Sequence, residues 1–139
     1  MRQVQREITL RTTGAGLYEF SREARAFVAS AEMGTGLLTI FCRHTSASLV
    51  IQENADPDVQ RDLVAFFRRL VPDGDPLFVH TMEGPDDMPA HVKSALTQTS
   101  VVIPITHGEL ALGTWQGLYL FEHRHAPHVR KIVLHAIGA

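Results

Sequence analysis

The sequence predicts an α+β sandwich of about seven strands with two to three helices. Apolar and polar residues alternate in segments such as 4–12, which is the period of a half-buried strand, and apolar residues recur at helical spacing in 17–31 and again after residue 57. Strands and helices follow one another in mixed order. A doubly wound parallel sheet would require regular alternation of the two, so the α+β class is favoured.

Length and composition favour one compact domain, residues 1–139. The chain is 45% hydrophobic, which suits a real core, and its 139 residues leave no room for a second domain. A net charge of -2 without a Lys/Arg run argues against a nucleic-acid partner, and no apolar run reaches the roughly 18 residues of a membrane span. With one cysteine, Cys42, and no signal peptide, we expect a cytoplasmic protein without an intrachain disulfide.

The first half of the chain predicts two strands and two helices. Residues 4–12 form a half-buried strand, 17–31 an amphipathic helix, and the almost wholly apolar run 37–42 a strand buried on both faces. Asp56 and Pro57 are typical of a helix N-cap and first helical residue, and this second helix ends before Pro72. The polar run that follows residue 42 indicates a strand end or bulge that opens onto a pocket.

The second half predicts a short strand at 77–79 that ends at His80, and a third helix that begins at Pro89 and carries His91 in its first turns. Residues 110–112 and 118–120 read as a hairpin-like return. Two further strands are predicted at 100–105 and 129–137.

Residues 80–93 concentrate the chemistry of the chain. This stretch holds two imidazoles, three carboxylates and one ammonium, with two prolines and a glycine that prevent a continuous regular element. Its alternative interpretation is a solvated acidic loop with incidental histidines. A rigid turn rich in ligating groups favours a built site.

A divalent metal centre is the chemistry that these side chains fit best. A catalytic metal site needs only three protein ligands from a rigid frame, and its remaining position stays open. The expected ligands come from two strand ends and a helix start: His44, His80 and His91. The carboxylates expected to orient them or to act as bases are Glu83, Asp86 and Asp87.

Other site chemistries find less support. A serine nucleophile at Ser46 or Ser48 with His44 lacks the Gly-x-Ser-x-Gly elbow, and no phosphate-binding glycine loop occurs. Gly113 and Gly117 bracket the only tryptophan, which predicts a close backbone approach or a bulge. That tryptophan can line a pocket or fill a subunit contact.

Five motifs in order cover nearly the whole chain. They are His-Thr-Ser-Ala-Ser-Leu at 44–49, Asn54-x-Asp56-Pro57, the histidine and acid pattern of 80–93, Gly-Thr-Trp-Gln-Gly at 113–117, and Glu122-His123-Arg124. Together they resemble the YjbQ family, also called the secondary thiamine-phosphate synthase family. The resemblance implies a two-sheet sandwich, a homotrimer, and a histidine-lined site for a metal or an anion.

The resemblance also implies an activity: the joining of a pyrimidine pyrophosphate to a thiazole phosphate. It implies a divalent cofactor, zinc or magnesium, and a small phosphorylated substrate. The catalytic residues that match motifs are Glu83, Asp86, Asp87, Lys93 and Arg124, and the substrate-binding ones are Ser46, Asn54, Trp115, Gln116 and His123. Lys93 and Arg124 would stabilise the leaving pyrophosphate, with Trp115 as a flat wall for the pyrimidine.

Two other functions remain open: a metal-dependent hydrolase of a small metabolite, and a non-catalytic trimeric metabolite-binding protein. A trimer is also expected because segments 100–105 and 129–137 are apolar on both faces, more than one small sandwich covers. In such a trimer, residues 122–124 of one chain could face the 80–93 loop of another.

Overall fold

The computed structural model describes residues 1–139 and contains eight strands and three helices. In chain order the elements are β1 (Arg2–Thr12), β2 (Gly16–Glu19), α1 (Ser21–Ala31), β3 (Thr35–Cys42), β4 (Ala47–Glu53), α2 (Pro57–Leu70), α3 (Asp87–Leu96), β5 (Ser100–Thr106), β6 (Glu109–Leu110), β7 (Gln116–Glu122) and β8 (His128–Gly138). None of the helices is long and apolar enough to cross a bilayer.

The strands form two antiparallel sheets, which confirms the α+β class and the two-sheet architecture. The larger sheet has the order β1-β8-β3-β5-β6, and the smaller one has the order β2-β7-β4. Twenty buried side chains from both sheets and from α1 make one contiguous apolar core. Alternate residues of β8, such as Ile132 and Leu134, are fully buried in it, as the period of a strand requires.

The outer face of the larger sheet keeps apolar side chains at the surface. Leu37 is 44% exposed and Phe41 47% exposed on β3, and Val102 is 54% exposed on the neighbouring β5. Val102 pairs with Thr39, which lies between the two β3 residues on the same face. This part of the sheet is therefore apolar on both faces, as expected, but the prediction that residues 37–42 are buried on both faces is wrong within one chain, since only one face of β3 packs on the core.

Two predicted elements differ from the structure in the first half. Residues 17–19 belong to β2, because they pair with β7 and complete the small sheet, and this pairing overrides their helical spacing. Helix α1 therefore begins only at Ser21. The run after residue 42 is not merely a strand end, since residues 47–53 form the regular strand β4. By contrast, the predicted cap of α2 is confirmed, because Asp56 Oδ1 accepts a hydrogen bond from the amide of Asp58.

The predicted strand at 77–79 is wrong. Asp75 accepts hydrogen bonds from the amides of Leu77, at its side chain, and of Phe78, at its carbonyl, and these bonds curl the backbone into a turn. The hairpin through 110–120 is also wrong: β6 is two residues long and pairs with β5, whereas β7 lies in the other sheet. Helix α3 begins at Asp87, two residues before Pro89.

Candidate metal centre

Four ligating side chains meet where the loop before α3 enters the helix. Asp87 is the first residue of α3 and His91 lies one turn later, so the two share a helix face. His80 and Glu83 come from the preceding loop. The ligating atoms of these four residues all lie within 4.8 Å of one another. We call His80, Glu83, Asp87 and His91 the metal cluster.

Asp87 is the centre of the metal cluster. Its Oδ2 atom lies 2.7 Å from Nε2 of His80 and 3.0 Å from Nε2 of His91. The carboxylate is almost fully buried, whereas the Glu83 side chain is 64% exposed, with its Oε2 3.5 Å from His80 Nε2. The cluster thus has one buried carboxylate, two imidazoles and one carboxylate that faces solvent.

The hydrogen bonds of His91 determine its tautomer, and the tautomer determines whether the cluster favours a cation. Its Nδ1 lies 2.9 Å from the carbonyl oxygen of Thr45, which only accepts, so Nδ1 carries the proton. In neutral His91 the lone pair of Nε2 then faces Oδ2 of Asp87 at 3.0 Å. Two lone pairs at this distance repel one another. A proton or a metal cation between them removes the repulsion, so the geometry favours bound positive charge.

Arg124 holds Asp87 from behind. Its Nη1 donates to Oδ1 of Asp87 at 2.6 Å, its Nε to Oδ2 of Asp86 at 3.1 Å, and its Nη2 to the carbonyl of Glu83 at 3.0 Å. Asp86 also accepts the amide proton of His125 at 2.9 Å. Such outer partners orient metal ligands in proteins, and a backbone carbonyl behind His91 is of the same kind.

The pKa values agree with a cluster that binds cations. Burial raises the pKa of Asp87, but its hydrogen bond with His80 and the charge of Arg124 bring it down to about 2. The hydrogen bond to Asp87 raises the pKa of His80. Asp87 is therefore a carboxylate at neutral pH, and a metal ion must compete with a proton for His80.

The donor set fits a borderline transition metal better than magnesium. Two imidazole nitrogens with one or two carboxylate oxygens are ligands that suit zinc and its neighbours, whereas magnesium prefers oxygen alone. Asp87 Oδ2, His80 Nε2 and His91 Nε2 would supply three protein ligands, with Glu83 in reach as a fourth. Three protein ligands leave the open position that a catalytic site needs.

His44 does not lie with the other two histidines. Its Nε2 accepts the backbone amide proton of Lys131 at 2.7 Å, and His44 is not among the four residues whose ligating atoms converge. Burial and the charge of Arg130 lower the pKa of His44, so it stays neutral and keeps this bond. The expected set of three histidines is therefore corrected to His80 and His91 with Asp87, and the motif of residues 44–49 contributes the carbonyl of Thr45 instead.

Neither Lys93 nor Arg124 presents a free cationic group to the metal cluster. Lys93 is only 6% exposed, and at 100° per residue it points away from His91 on α3. Burial lowers the pKa of its ammonium, which forms no ion pair. The guanidinium of Arg124 donates hydrogen bonds to Asp86, to Asp87 and to the carbonyl of Glu83 within the same chain. The contact between residues 122–124 and the loop is therefore made inside one chain.

The expected substrate-binding residues fall into two groups. Ser46 accepts hydrogen bonds from Arg130. His123 is buried, and its Nε2 lies 2.9 Å from Oγ of Ser48. Both residues therefore make contacts within the chain, at the end of the sheet near the cluster. The other group lies at the far end of β4 and β7: Asn54, Trp115 and Gln116. Six strand steps from residue 116 to residue 122 separate the two ends by about 20 Å. Within one chain Trp115 cannot line the cluster.

A buried ion pair supports this region and was not predicted from the sequence. Glu122 and Arg130 pair inside the core, and Oε2 of Glu122 also accepts the amide protons of His123 and Arg124. Thr12 donates to the same carboxylate through its hydroxyl. A charged residue at an inward position of a predicted strand, as at Arg130, is the sequence signal that could have revealed it. The pair fixes the backbone from which Arg124 reaches the loop.

Gly117 explains one of the two glycines around the tryptophan. A Cβ there would lie 2.9 Å from Cβ of Asn54 and from the ring of Tyr119, so the predicted close approach is confirmed. Trp115 itself is 64% exposed. It is therefore available for contact with another molecule at that end of the sheet.

Comparison with known proteins gives a consistent result. Residues 6–139 match a family model described as UPF0047 protein YjbQ-like. A UPF0047 protein of Synechocystis sp. is 53% identical over 99% of this chain and 93% of its own length. The UPF0047 protein YjbQ of Escherichia coli O157:H7 is 41% identical, over 93% of this chain and 94% of its own.

Solved structures agree with the fold. A protein of the yjbq/upf0047 family from Clostridium acetobutylicum superposes with a TM-score of 0.87 at 33% identity, over 94% of this chain and 98% of its own. A hypothetical protein from Aeropyrum pernix K1 gives a TM-score of 0.90 at 26% identity, over 98% and 99%. None of these names states a reaction, so the function is argued from the metal cluster.

Proposed function

The chain belongs to the YjbQ-like UPF0047 family, and on that premise we propose that it is a metal-dependent transferase with thiamine-phosphate synthase-like activity. It joins a pyrimidine pyrophosphate to a thiazole phosphate and releases pyrophosphate. The observation that carries the proposal is the convergence of the ligating atoms of His80, Asp87 and His91 on one point.

The reaction needs charge stabilisation more than a base. The neutral thiazole nitrogen forms a bond to the methylene carbon of the pyrimidine, and the carbon–oxygen bond breaks with its electron pair on the departing pyrophosphate. A divalent ion held by His80, Asp87 and His91 would stabilise that negative charge. No proton has to leave the nucleophile, which fits a cluster whose buried carboxylate is already held by Arg124.

The chain's own residues act mainly by positioning. Arg124 keeps Asp87 ionised and oriented, and the carbonyl of Thr45 keeps Nε2 of His91 turned toward the cluster. Asp86 fixes the guanidinium of Arg124 and the amide of His125. In this proposal Arg124 is a positioning residue, and Lys93 is not a partner of the leaving group because it is buried on another side of α3.

A metal-dependent hydrolase is the second candidate, and Glu83 favours it. Its carboxylate is 64% exposed, it belongs to the metal cluster, and its one ion-pair partner is His80, with Oε2 of Glu83 3.5 Å from Nε2 of His80. It could accept a proton from a water molecule that attacks a phosphoester or an amide. A non-catalytic metabolite-binding protein is the third candidate, and binding without turnover would identify it.

The proposal includes a homotrimer in the cytoplasm. Leu77, Val79 and Met82 are 79%, 97% and 98% exposed on the loop that carries His80, and the outer face of β3 and β5 is apolar as well. Two separate apolar surfaces on one chain suit a head-to-tail contact that closes into a ring. A lone, buried Cys42 is compatible with a reducing compartment.

Turnover tests the proposal directly. Purified protein loaded with zinc is mixed with the pyrimidine pyrophosphate and the thiazole phosphate, and thiamine phosphate and pyrophosphate are measured together. We expect equal amounts of both products, lost in the His80→Ala and His91→Ala variants. Release of phosphate or pyrophosphate without coupling would favour the hydrolase, and binding of either substrate with no product would favour the binding protein.

A further inference from the structure

A cavity of about 300 Å³ adjoins the metal cluster on the side of His80. We call it the proline cavity, because three prolines of the loop and of α3 contribute to its wall. Its lining residues are Gly74, Asp75, Pro76, Phe78, His80, Thr81, Gly84, Pro85, Met88 and Pro89. A cavity of this size is at the lower end of small-molecule pockets and holds one ring rather than a whole substrate.

The charge of the lining away from His80 disfavours an anionic occupant. No lysine or arginine lines the proline cavity, and its one carboxylate, Asp75, would repel a phosphate. The hydrophobic side chains that line it, Phe78 and Met88, offer a flat aromatic face and a polarisable thioether. Apolar surface with few polar atoms favours an uncharged, planar ring.

The cavity is built rather than incidental. The amide of Gly74 donates to the carbonyl of Pro85 at 3.2 Å and the amide of Gly84 to that of Thr81 at 3.2 Å, and these bonds tie the two arms of the loop. Gly84 has a φ of +100°, a conformation that other residues rarely adopt. Pro76, Pro85 and Pro89 remove further freedom. The ring site is therefore formed before the ligand arrives.

We propose that the proline cavity binds the uncharged heteroaromatic ring of the substrate and directs the substituent of that ring past His80 to the metal cluster. The inference rests on the proposed function and names the ring subsite of the same site. His80 belongs to both places, because it lines the cavity and lies 2.7 Å from Asp87. In this arrangement the proline cavity binds the ring of the substrate, and the metal cluster binds the phosphates of the same substrate.

This subsite replaces Trp115 as the wall for the pyrimidine. Trp115 lies at the opposite end of β7, about 20 Å or more from the metal cluster by the rise of the strand. Phe78 is in the loop that carries His80 and needs no second chain to reach the site. The structure thus contains an aromatic side chain beside the metal cluster that the motifs did not reveal.

Binding of the pyrimidine alcohol, which is the ring without its phosphates, tests the subsite without turnover. We expect Phe78→Ala to weaken calorimetric binding of this alcohol about tenfold or more, because the bound ring loses its aromatic wall. Phe66→Ala is the matched control: it makes the same change on α2, its side chain is 49% exposed, and it does not line the cavity. Met88→Trp, which fills the cavity, should abolish binding as well.

Inorganic pyrophosphate is the second probe. Its binding to the zinc-loaded protein should be unchanged in Phe78→Ala and lost in the His80→Ala, His91→Ala double variant. Thermal unfolding and zinc content check that Phe78→Ala and Met88→Trp keep the fold. The inference is overturned if the alcohol does not bind, or if it binds equally to wild type, Phe78→Ala and Met88→Trp. Ring binding that follows this pattern without product formation would uphold the subsite while the transferase proposal fails.

Discussion

His91 donates its Nδ1 proton to the carbonyl oxygen of Thr45 across 2.9 Å. This bond joins α3 to the turn that precedes β4. It leaves Nε2 of the imidazole as the nitrogen that faces Asp87 within the metal cluster. A backbone carbonyl in this role fixes the tautomer of a metal-binding histidine without a second titratable group. The site therefore depends on a contact between two segments 46 residues apart in the chain.

Arg124 should control metal affinity without contact to the metal. In Arg124→Ala, Asp87 loses its bond at Oδ1, and we expect zinc affinity to fall by roughly tenfold to a hundredfold, the usual effect of outer-shell partners. Arg124→Lys keeps the positive charge but cannot bond Asp86 and Asp87 through two guanidinium nitrogens, so the zinc affinity of this variant should be intermediate. Competition with a chelating dye measures the affinities. Arg61→Ala, at an 80% exposed side chain, is the control, and equal affinity in all four proteins would refute the role.

Lys93 should cost stability rather than supply it. A buried ammonium without an ion pair is unfavourable, as the lowering of its pKa by burial indicates. We expect Lys93→Met to raise the free energy of unfolding by about 1 kcal/mol or more, measured by urea denaturation at pH 7. Lys131→Met, whose exposed ammonium contacts Thr9, should change it little. A turnover loss of about a hundredfold in Lys93→Met would show that Lys93 stabilises charge after all.

His123 should make the fold sensitive to mild acid. Burial, with the charge of Lys93, lowers the pKa of His123 from 6.5 to about 3, and its Nδ1 has no hydrogen-bond partner. Between these two pKa values the unfolded chain binds a proton that the folded chain does not, so stability falls as pH drops below about 6.5. The limit for one group is about 1.4 kcal/mol per pH unit.

The variant His123→Gln isolates that effect. Denaturation of wild type and variant at pH 7, 6 and 5 stays above the range in which carboxylates titrate, and other histidines contribute equally to both proteins. We expect the free energy of unfolding of wild type, relative to that of the variant, to fall from pH 7 to pH 5. Only wild type carries the penalty of a buried histidine that stays neutral. A difference that is constant with pH would contradict the assignment.

The loop of His80 should be part of the trimer contact. Val79 is 97% exposed, so an aspartate there should leave the folded chain intact while it places charge in an apolar interface. We expect light scattering to give the mass of three chains for wild type and of one chain for Val79→Asp. Ala26→Asp on the exposed face of α1 is the control and should stay trimeric. A wild-type monomer at micromolar concentration would end the proposal.

Local signals in the sequence predicted much of the fold. The alternation in β1 and the cap at Asp56 are decided by neighbouring residues, and both are observed. Residues 17–19 were predicted as helix because their pairing with β7 involves partners about 100 residues away, which no local pattern contains. The strand predicted at 77–79 fails for the opposite reason, since the turn bonds of Asp75 outweigh three apolar residues.

The site was predictable in its residue types and less so in its partners. Two histidines and two acids of the 80–93 stretch do meet, because a proline-rich turn and one helical turn bring them together. His44 was misplaced because a sequence does not show that Nε2 is already bonded to the amide of Lys131. Trp115 was assigned to the same pocket by motif order, whereas the length of β7 separates it from the cluster.

Metal content is the most direct measurement of the central claim. Protein saturated with zinc, passed through a desalting column at pH 7.5 and subjected to elemental analysis should contain about one zinc per chain, as a site of three protein ligands predicts. The His80→Ala, His91→Ala double variant should contain almost none, and His44→Ala should contain as much as wild type. Wild-type protein without zinc, or a double variant that retains it, would contradict a metal centre at His80, Asp87 and His91.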